Sequence, residues 1–443
     1  MTPPDLKAFF EPKSVVLVGA SELSGEGAAS AAFFRSLAYN IPKFKSGKVY
    51  GVDLSGKLEK YEKKLTKVPK GLDLAVVSLP KDLLKKNLSI LLAKRTKALV
   101  LISGELEPKQ REELGNLAKK GKLLLLGPKA TMGIINTGNG LVAAPYQELT
   151  PKQGNIAVIS QEGGLAAAML DWVCFHGVGI SKFACVGDGL GVDAAELIRY
   201  LAQDKKTKVI CVYLETVKEG RKLIGAISEA TKTKPVVVLK GGLEDERIFE
   251  AALKQAKALQ VQGIEEIFAV AEGLAKQPPM CGNRVAVITN VAGQARLLVK
   301  SLVKEGLVPA ELSAETTKKI LNKHPHVSIL GFIDLGIGAK ADIYKFVGEQ
   351  LLSDKAVDGV VVINAIKSTL LEPKDVRDIS SISKKSKEKP VVDLAPGGED
   401  NLHVREVLAD TELPVYDQPE KAARVMKFLG MRGKILEKVE RKI

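Results

Sequence analysis

Short runs of branched apolar residues alternate with helical patterns along nearly the whole sequence, and this alternation constrains the fold more than any other feature. SVVLVGA, KVYGVDL, LDLAVVSLP, KALVLIS and KLLLLGP follow one another in the first part of the chain. Uninterrupted apolar runs of this length are typical of parallel strands that helices cover on both faces. The sequence therefore predicts an α/β protein built on parallel sheets.

The second and third parts of the chain repeat each other. GNIAVISQEGGLAAAMLDW, which starts at Gly154, matches GNRVAVITNVAGQARLLVK, which starts at Gly282, in a strand, a glycine turn and a helix. Further on, KPVVVLKGGLED is echoed by KPVVDLAPGGED. Both matches are explained by two copies of one flavodoxin-like parallel α/β domain that follow a separate Rossmann-like N-terminal domain.

The repeat and the linkers between its copies predict the domain boundaries. A chain of 443 residues is too long for a single ordinary core. The predicted parts are a Rossmann-like domain at 1–128, a connector at 129–153, flavodoxin-like domains at 154–277 and 282–430, and a basic C-terminal tail at 431–443.

Composition narrows the classes of protein and of partner. No run approaches the ~20 apolar residues that span a bilayer, so we expect a cytoplasmic protein without a membrane partner. The four cysteines form no CxxC pair, which favours reduced thiols over a metal site or disulfides. A net charge of +14 favours polyanionic partners such as a nucleotide, CoA or RNA. The abundance of Lys and Glu also suits a thermophile.

Three strand-to-helix turns are candidate anion sites, because free helix N–H groups bind anions at the carboxyl ends of parallel strands. The turns are VVLVGASELSGEG, ISQEGGLAAAML and VVVLKGGLED. The first lacks a clean GxGxxG, so glycine spacing alone leaves a nucleotide site and a tight turn equally open. The third holds two glycines and acidic residues, and contains no Ser, Thr, Cys or His.

Taken together, PKSVVLVGAS, LDLAVVSLP, LLGPKATMGIIN, GNIAVISQEGG, VYLETVKEG, KPVVVLK and FIDL resemble the α subunit of NDP-forming acyl-CoA synthetases, the relatives of the succinyl-CoA synthetase α chain. The resemblance covers nearly the whole chain. It implies a phosphohistidine that carries phosphate, a partner ATP-grasp β subunit that holds the nucleotide, and oligomerisation. It also implies a CoA site at Gly19, Ala20, Ser21, Val52, Leu79, Pro80, Ser103 and Gly104.

The phosphohistidine loop of that family is missing here. Its place lies after the strand 236–239 and before the helix that starts near Asp245, and only KGGLED connects them. His176 belongs to a helix end, and His324, His326 and His403 lie in the third domain. No histidine in the sequence is therefore placed to accept phosphate. Glu215 matches the acid that orients the phosphohistidine in the family.

Further departures fall at the anion sites. The phosphate-site-like residues Ser160, Gln161, Glu162, Gly163 and Gly164 read SQEGG where the family has Ser-Gln-Ser-Gly. Glu162 either occupies the place of a phosphate or is an exposed first-turn acid. Glu22 and Glu26 lie where the family carries basic residues near CoA, although the Lys43, Lys45 and Lys48 cluster is able to compensate. Lys129 replaces the usual asparagine.

Three functions remain open from the sequence. The first is a degenerate α-subunit-like protein that binds CoA or acyl-CoA as a sensor, regulatory subunit or scaffold. The second is an active acid–CoA ligase (ADP-forming) subunit that works with an ATP-grasp partner, which requires direct acyl-phosphate chemistry or a histidine from that partner. The third is an RNA- or ribosome-associated factor that uses the lysine-rich surface and the basic tail.

Overall fold

Parallel sheets organise the chain, as the alternating pattern predicts. The computed structural model describes residues 5–102, 106–120, 123–148, 151–242, 246–367, 370–385 and 388–440. The chain divides into two compact units, Met1–Ile264 and Glu265–Ile443. In the described part of the chain, no helix is both long enough and apolar enough to cross a membrane.

The first unit begins with a wholly parallel sheet. Its elements are α1 (Lys7–Phe10), β1 (Ser14–Gly19), α2 (Ala28–Asn40), β2 (Lys48–Asp53), β3 (Leu74–Ser78), α3 (Lys81–Ala93), β4 (Ala98–Leu101), α4 (Pro108–Lys119) and β5 (Leu124–Leu126). The strands lie in the order β2-β1-β3-β4-β5. Val15 to Val18 are at most 2% exposed, because helices cover both faces of the sheet.

A second sheet completes this unit. Its elements are β6 (Ile134–Asn136), β7 (Leu141–Ala143), β8 (Gln153–Ser160), α5 (Gly163–Phe175), β9 (Ile180–Cys185), α6 (Ala194–Gln203), β10 (Val209–Leu214), α7 (Gly220–Ala230), β11 (Val236–Lys240), α8 (Glu246–Gln255) and β12 (Leu259–Val261). The strand order is β12-β11-β10-β8-β9-β6-β7. A capping box between Asp193 and Glu196 fixes the start of α6.

The predicted connector 129–153 is partly a β-hairpin. β6 pairs antiparallel with β7 and with β9, so the hairpin extends the second sheet at its edge. Ile134, Ile135 and Leu141 are fully buried. The predicted connector thus contains two strands of the second sheet, because these short apolar runs gain ladder hydrogen bonds and core contacts that a linker would lack.

The second unit contains the third sheet. Its elements are α9 (Ile264–Lys276), whose first residue still belongs to the first unit, then β13 (Arg284–Thr289), α10 (Ala292–Lys304), β14 (Val308–Pro309), α11 (Ala314–Lys323), β15 (Ser328–Ile329), β16 (Ile333–Asp334), α12 (Ala341–Ser353), β17 (Gly359–Ile363), α13 (Pro373–Ile379), α14 (Ser381–Lys385), β18 (Val391–Leu394), α15 (Glu399–Val407), β19 (Val415–Tyr416) and α16 (Pro419–Glu440). The main strand order is β15-β16-β13-β17-β18-β19.

One predicted boundary falls inside a helix of this unit, and a second differs from the division between the two units. α16 runs without a break past Gly430, and Arg432 is 5% exposed, so the first part of the predicted tail 431–443 is packed helix. Almost all of α9 groups with the second unit, whereas the predicted domain 154–277 included this helix. Its Glu272 forms an ion pair with Arg405 at 3.2 Å, which explains this grouping.

All three sheets share one order around their first strand. On one side, β1, β8 and β13 pair with the strand that follows them in sequence, which is β2, β9 and β14 respectively. On the other side they pair with β3, β10 and β17. This is the 2-1-3-4-5 order of flavodoxin-like folds, in which ligands bind outside the carboxyl ends of the first and third strands. The predicted fold class is confirmed, and the order points to the β1–β3 and β8–β10 edges as candidate sites.

Candidate functional site

The predicted CoA residues that the structure describes meet at the carboxyl edge of the first sheet. Gly19 ends β1, Val52 lies near the end of β2, and Leu79 and Pro80 follow β3. Val52 and Leu79 are fully buried, so they support the edge from below rather than face a ligand. Ser103 and Gly104 lie outside the described residues.

Asp53, at the end of β2, organises this edge. Backbone N–H groups donate to its carboxylate from Ser21 (2.8 Å), Ser55 (3.2 Å), Lys57 (3.1 Å) and Leu58 (2.9 Å). The hydroxyls of Ser21 and Ser55 each donate at 2.7 Å. Burial alone would raise the pKa of Asp53, but these donors outweigh it and lower the pKa to about 2. Asp53 is therefore a buried anion held by its hydrogen bonds.

Ser21 is held from both sides. Its N–H donates to Asp53, and its carbonyl oxygen accepts from Arg35 of α2 at 2.7 Å. α2 also approaches β1 closely, since a Cβ at Gly19 would lie 2.1 Å from the ring of Phe34. The segment between β1 and α2 is thus fixed at its first residues, and no side chain caps the N-terminus of α2.

Of the charged residues predicted near CoA, Glu22 and Glu26 lie at this edge, whereas Lys43, Lys45 and Lys48 lie at the opposite end of the sheet, since Lys48 pairs with Ser14 at the start of β1. Glu22 and Glu26 are exposed, and Glu22 pairs with Lys57 at 3.4 Å. Lys43 lies 3.6 Å from the centre of the Tyr39 ring. Lys45 and Lys48 are exposed as well. Because exposed pairs of this kind contribute about 0–1 kcal/mol, the charges of Glu22 and Lys57 shape the approach of an anion rather than the fold.

At the second edge, Gln161 joins the ends of β8 and β10. Its Oε1 accepts the N–H groups of Glu215 (2.7 Å) and Thr216 (3.0 Å), and its Nε2 donates to the hydroxyl of Thr216 (3.0 Å). The buried hydroxyl of Ser160 donates to the carbonyl oxygen of Glu162 at 2.7 Å. Ser160 and Gln161 therefore hold the turn and do not present free groups to a ligand.

Glu162 is the N-cap of α5, and its carboxylate lies on the helix N-terminus. Oε1 accepts the N–H of Gly164 at 2.6 Å, and Oε2 accepts the N–H of Leu165 at 2.7 Å. Both oxygens thus occupy the N–H groups that a helix N-terminus offers to an anion. The carboxylate therefore caps its own helix and does not point into solvent.

The start of α5 has little room. A Cβ at Gly163 would lie 1.6 Å from the Thr131 hydroxyl, and one at Gly187 would lie 2.2 Å from the carbonyl oxygen of Pro128. The side chain of Lys129, which stands where the family usually has asparagine, is exposed. Burial raises the pKa of the Cys185 thiol, and the nearby Glu162 carboxylate adds to that rise. The thiol of Cys185 is therefore no nucleophile.

Glu215 is enclosed by Tyr213 and by the turn after β11. The hydroxyl of Tyr213 donates to Glu215 Oε1 at 2.9 Å, and burial together with this hydrogen bond raises the pKa of Tyr213 to about 12. Lys240 Nζ donates to the carbonyl oxygens of Glu215 and Gly241. A Cβ at Gly241 would lie 2.4 Å from the Tyr213 hydroxyl. The described part of the turn is folded against Glu215, and residues 243–245 lie outside the described residues.

His176 does not reach this edge. It is the C-cap of α5, where its ring stacks on Trp172 with 3.9 Å between ring centres. Glu162 caps the other end of the same helix, and at 1.5 Å per residue the two caps are about 20 Å apart. His324, His326 and His403 belong to the second unit.

The third sheet repeats the turn of the second almost bond for bond. Thr289 donates its hydroxyl to the carbonyl oxygen of Val291 at 3.0 Å, as Ser160 does to Glu162. Asn290 Oδ1 accepts the N–H of Ala365 at 3.1 Å, as Gln161 does from Glu215. The copies differ at the next position, where Val291 gives α10 no side-chain cap. Glu162 is therefore a feature of one copy.

A small cavity lies beside the second edge. It measures about 110 Å³ and is lined by Gln161, Gly187, Asp193, Leu214 and Thr216 among others. Among the described residues, no three His, Cys, Asp or Glu side chains are grouped to hold a metal ion. The cavity thus lies between the turn at Gln161 and the end of β10.

Sequence reasoning missed three residues of this site, namely Asp53, Tyr213 and Lys240. Asp53 carried a signal, since an acid at the end of the second strand is a recurrent feature of Rossmann-like domains. Tyr213 and Lys240 end continuous apolar strands and carried none, because their role depends on which strands lie side by side.

Comparisons with known proteins agree with this architecture. Residues 153–274 match the family described as succinyl-CoA ligase like flavodoxin domain. The chain is 29% identical to the α subunit of acetate–CoA ligase [ADP-forming] II of Pyrococcus furiosus, over 97% of this chain and 98% of that one. The crystal structure of PH0766 from Pyrococcus horikoshii superposes with a TM-score of 0.87 and 30% identity, over 98% of this chain and 100% of that one.

A further solved structure comes from a named enzyme. The dinucleotide-forming acetyl-coenzyme A synthetase 1 of Candidatus Korarchaeum cryptofilum, in complex with phosphate and ADP, superposes with a TM-score of 0.85 and 25% identity, over 99% of both chains. Such agreement along the whole length leaves no large part of the chain outside the match. The chain therefore belongs to the family of α subunits of NDP-forming acyl-CoA synthetases.

Proposed function

We propose that this chain is a CoA- or acyl-CoA-binding member of its family that does not carry phosphoryl groups and that acts as a regulatory or scaffold subunit beside an ATP-grasp partner. The observation that carries the proposal is the Glu162 carboxylate, which accepts the N–H groups of Gly164 and Leu165 at 2.6 and 2.7 Å. A phosphate at this helix would first have to displace that carboxylate.

The energetic cost of such displacement favours the proposal. The two hydrogen bonds of Glu162 form an N-cap, which contributes about 0.5–2 kcal/mol. The Glu162 carboxylate is tethered to the helix that it caps, so it competes as an intramolecular ligand. Were it to stay in place, a second anion beside it would be repelled by Coulomb forces.

The turn after β11 supports the same conclusion. The sequence between Lys240 and the start of α8 contains no histidine. Lys240 donates to the carbonyl oxygens of Glu215 and Gly241, which draws the described part of the turn onto Glu215. A carrier needs a mobile, accessible nucleophile, and the sequence of this turn supplies no histidine for that role.

The first edge, by contrast, fits CoA. Gly19, Ala20 and Ser21 are held at the β1–β3 crevice, and the N-termini of α2 and α3, whose N-cap residues Gly27 and Pro80 give no side-chain cap, favour phosphate binding there. Glu22 and Glu26 are exposed and are free to turn away from a ligand. When bound, CoA would supply the thiol that accepts an acyl group, and the residues of this chain would orient its phosphates.

A partner subunit follows from the kind of relative that this chain resembles. The Pyrococcus furiosus protein is named an α subunit, and the chain matches 98% of its length. By analogy, we propose an ATP-grasp β subunit as the partner, with oligomerisation of the complex. The comparisons do not support RNA or ribosome association.

Phosphorylation and CoA titration test the proposal together. The full chain, with an ATP-grasp β subunit of a relative, is incubated with γ-labelled ATP or with acetyl phosphate, and acid-labile protein-bound phosphate is counted. We expect none, while calorimetry shows CoA binding. A related α subunit that has the histidine loop is the positive control. Acid-labile phosphate on this chain would establish the active-ligase alternative instead, and absence of CoA binding would refute the ligand assignment.

Replacement of Glu162 by alanine should expose the anion site. Loss of the cap is expected to lower the free energy of unfolding by about 0.5–2 kcal/mol. Phosphate should then stabilise the variant by up to about 2.7 kcal/mol at a hundredfold excess over its dissociation constant, but should leave the wild type unchanged. Thermal unfolding in phosphate and in chloride of equal ionic strength measures both effects.

The matched control for this prediction is Ser313→Ala. Ser313 caps α11 by accepting the N–H of Thr316 at 3.2 Å, so its loss also removes one cap. The control should lose a similar stability but gain nothing from phosphate. Equal phosphate effects in Glu162→Ala and in the wild type would show that Glu162 does not block the helix.

A further inference from the structure

A wide cavity of the first unit lies away from both carboxyl edges. It has a volume of about 840 Å³ and is lined by Lys13, Asn136, Lys182, Tyr200 and Lys206 among others. Lys182 lies in the first half of β9, and Lys206 lies in the turn that leads into β10. The cavity therefore lies at the amino ends of these strands, opposite the candidate site, and nothing in acyl-CoA chemistry uses it.

The floor of this cavity holds a buried lysine. Lys182 is only 1% exposed, and its Nζ donates to Asp204 Oδ2 at 2.7 Å. Asn136 is its cross-strand neighbour on β6, so the two side chains lie on the same face of the sheet. Among the described residues, Asp204 is the one acceptor of Lys182, whereas an ammonium group has three N–H donors to satisfy.

Asp204 is shared among several donors. It also accepts the hydroxyl of Thr207 at 2.6 Å, and its carbonyl oxygen accepts Lys234 Nζ at 2.5 Å. Burial lowers the pKa of Lys234; Asp204 opposes that shift, and Lys182 adds to it. Two largely enclosed ammonium groups thus depend on one carboxylate, which leaves a surplus of positive charge.

All the charged residues that line the cavity, counted together, are also net positive. Five lysines and three carboxylates line the cavity, so it carries two more positive than negative charges. Its volume falls within the range of about 300–1,000 Å³ that is common for small-molecule sites. A dianion would balance the surplus, and Tyr200, whose hydroxyl has no partner among the described residues, would face its organic part.

We infer that this cavity is a second ligand site, which binds a small phosphorylated metabolite with its phosphate against Lys182 and Lys206. A phosphate fits better than a carboxylate because it carries close to two negative charges and has more acceptor oxygens for the unspent donors of Lys182. The site is independent of the proposed function, since it shares no residue with the CoA edge or with the cap of α5.

Calorimetric titration of the full chain with inorganic pyrophosphate tests this site. We expect binding by the wild type, an affinity about tenfold or more lower in Lys205→Gln/Lys206→Gln, and no binding in Lys182→Met. The exposed pair Lys205 and Lys206 keeps the test valid if loss of Lys182 impairs folding. A parallel titration with acetate at equal ionic strength tests whether a carboxylate also binds, and we expect no detectable binding.

The control variant Lys63→Gln/Lys64→Gln removes the same charge from an exposed loop of the first sheet and should bind like the wild type. An equal loss in this control would reveal counterion condensation on a basic protein and would overturn the site. Displacement of pyrophosphate by CoA would place it at the CoA edge and would also overturn the inference. So would absence of binding, or acetate binding as tight as that of pyrophosphate.

Discussion

Asp53→Asn is expected to lower the free energy of unfolding of the first unit by about 3–5 kcal/mol. The carboxylate accepts four backbone N–H groups and two hydroxyls. An amide in its place has one oxygen, so in either orientation its NH₂ faces at least two backbone N–H donors. Each buried donor left unsatisfied costs about 1–3 kcal/mol. CoA affinity should fall as well, because Ser21 loses its anchor.

Urea unfolding followed by the single tryptophan, Trp172, measures this effect, because Trp172 lies in the same unit. The pH dependence gives a second readout. The folded-state pKa of Asp53 is lowered, to about 2, so its contribution is complete above the unfolded value of about 3.9 and is lost as pH falls towards 2. This contribution is about 2 kcal/mol and should be missing in the variant.

Glu22→Gln is the control, since Glu22 lies on the same edge but is exposed and pairs with the exposed Lys57. Its effect on stability should stay below about 0.5 kcal/mol. If Asp53→Asn were as mild as Glu22→Gln, the hydrogen bonds to Asp53 would not hold the edge.

The second unit should lose stability as pH rises, because of Asp393. This carboxyl group is fully buried, and burial raises its pKa well above the usual value, although a hydrogen bond from Asn364 Nδ2 opposes the shift. Asp393 Oδ1 and Asn364 Oδ1 both lack a partner among the described residues. Once Asp393 is protonated, its hydroxyl is a donor and Asn364 Oδ1 is a free acceptor.

The sign follows from proton counts. Between the unfolded pKa of about 3.9 and the raised folded pKa, the folded state binds more protons than the unfolded state. The contribution of Asp393 is therefore complete below pH ~3.9 and falls by about 1.4 kcal/mol per pH unit until the folded pKa is passed. Hydrogen exchange of the β17 and β18 amides across this pH range measures the loss.

Asp393→Asn should remove this pH dependence, because two amides can exchange both hydrogen bonds without a charge. Asn364→Leu should instead cost about 1–3 kcal/mol at all pH values, since it leaves Asp393 without a partner. Asp358, which is held by Arg284 at 2.7 Å and has a lowered pKa, supplies the control variant Asp358→Asn. This control should still lose stability as pH rises, as the wild type does. A wild type whose exchange does not change with pH would contradict a protonated Asp393.

The strands of all three sheets were predictable because they are continuous apolar runs, such as Val15 to Val18 and Val236 to Leu239. Elements with mixed signals were not. β6 and β7 are three residues each and adjoin Gly and Asn, so local composition favours a loop. The pairing of β6 with β9 and of β7 with β6 depends on contacts that the local sequence does not encode. α16 was cut at Gly430, although a helix tolerates an isolated glycine.

The candidate site was predictable where a motif carries it. SQEGG located Glu162 at the N-terminus of α5, and the absence of a histidine from KGGLED is legible in the sequence itself. The bidentate contact of Glu162 was one of two alternatives, because an acid in a first turn often points into solvent. The position of Lys240 against Glu215 follows from the pairing of β10 with β11, which local patterns do not specify.

The turns of the second and third sheets match, so the two domains of one chain can be compared directly. Gln161 and Asn290 perform the same bridging task, whereas Glu162 and Val291 have diverged beside them. The repeat thus distinguishes the contact that both domains share, the bridge made by Gln161 or Asn290, from the cap that one domain has. Exchange of residues 160–164 with 289–293 would move the side-chain cap from α5 to α10 within two domains of the same fold. One protein would thus show what the cap does in each domain.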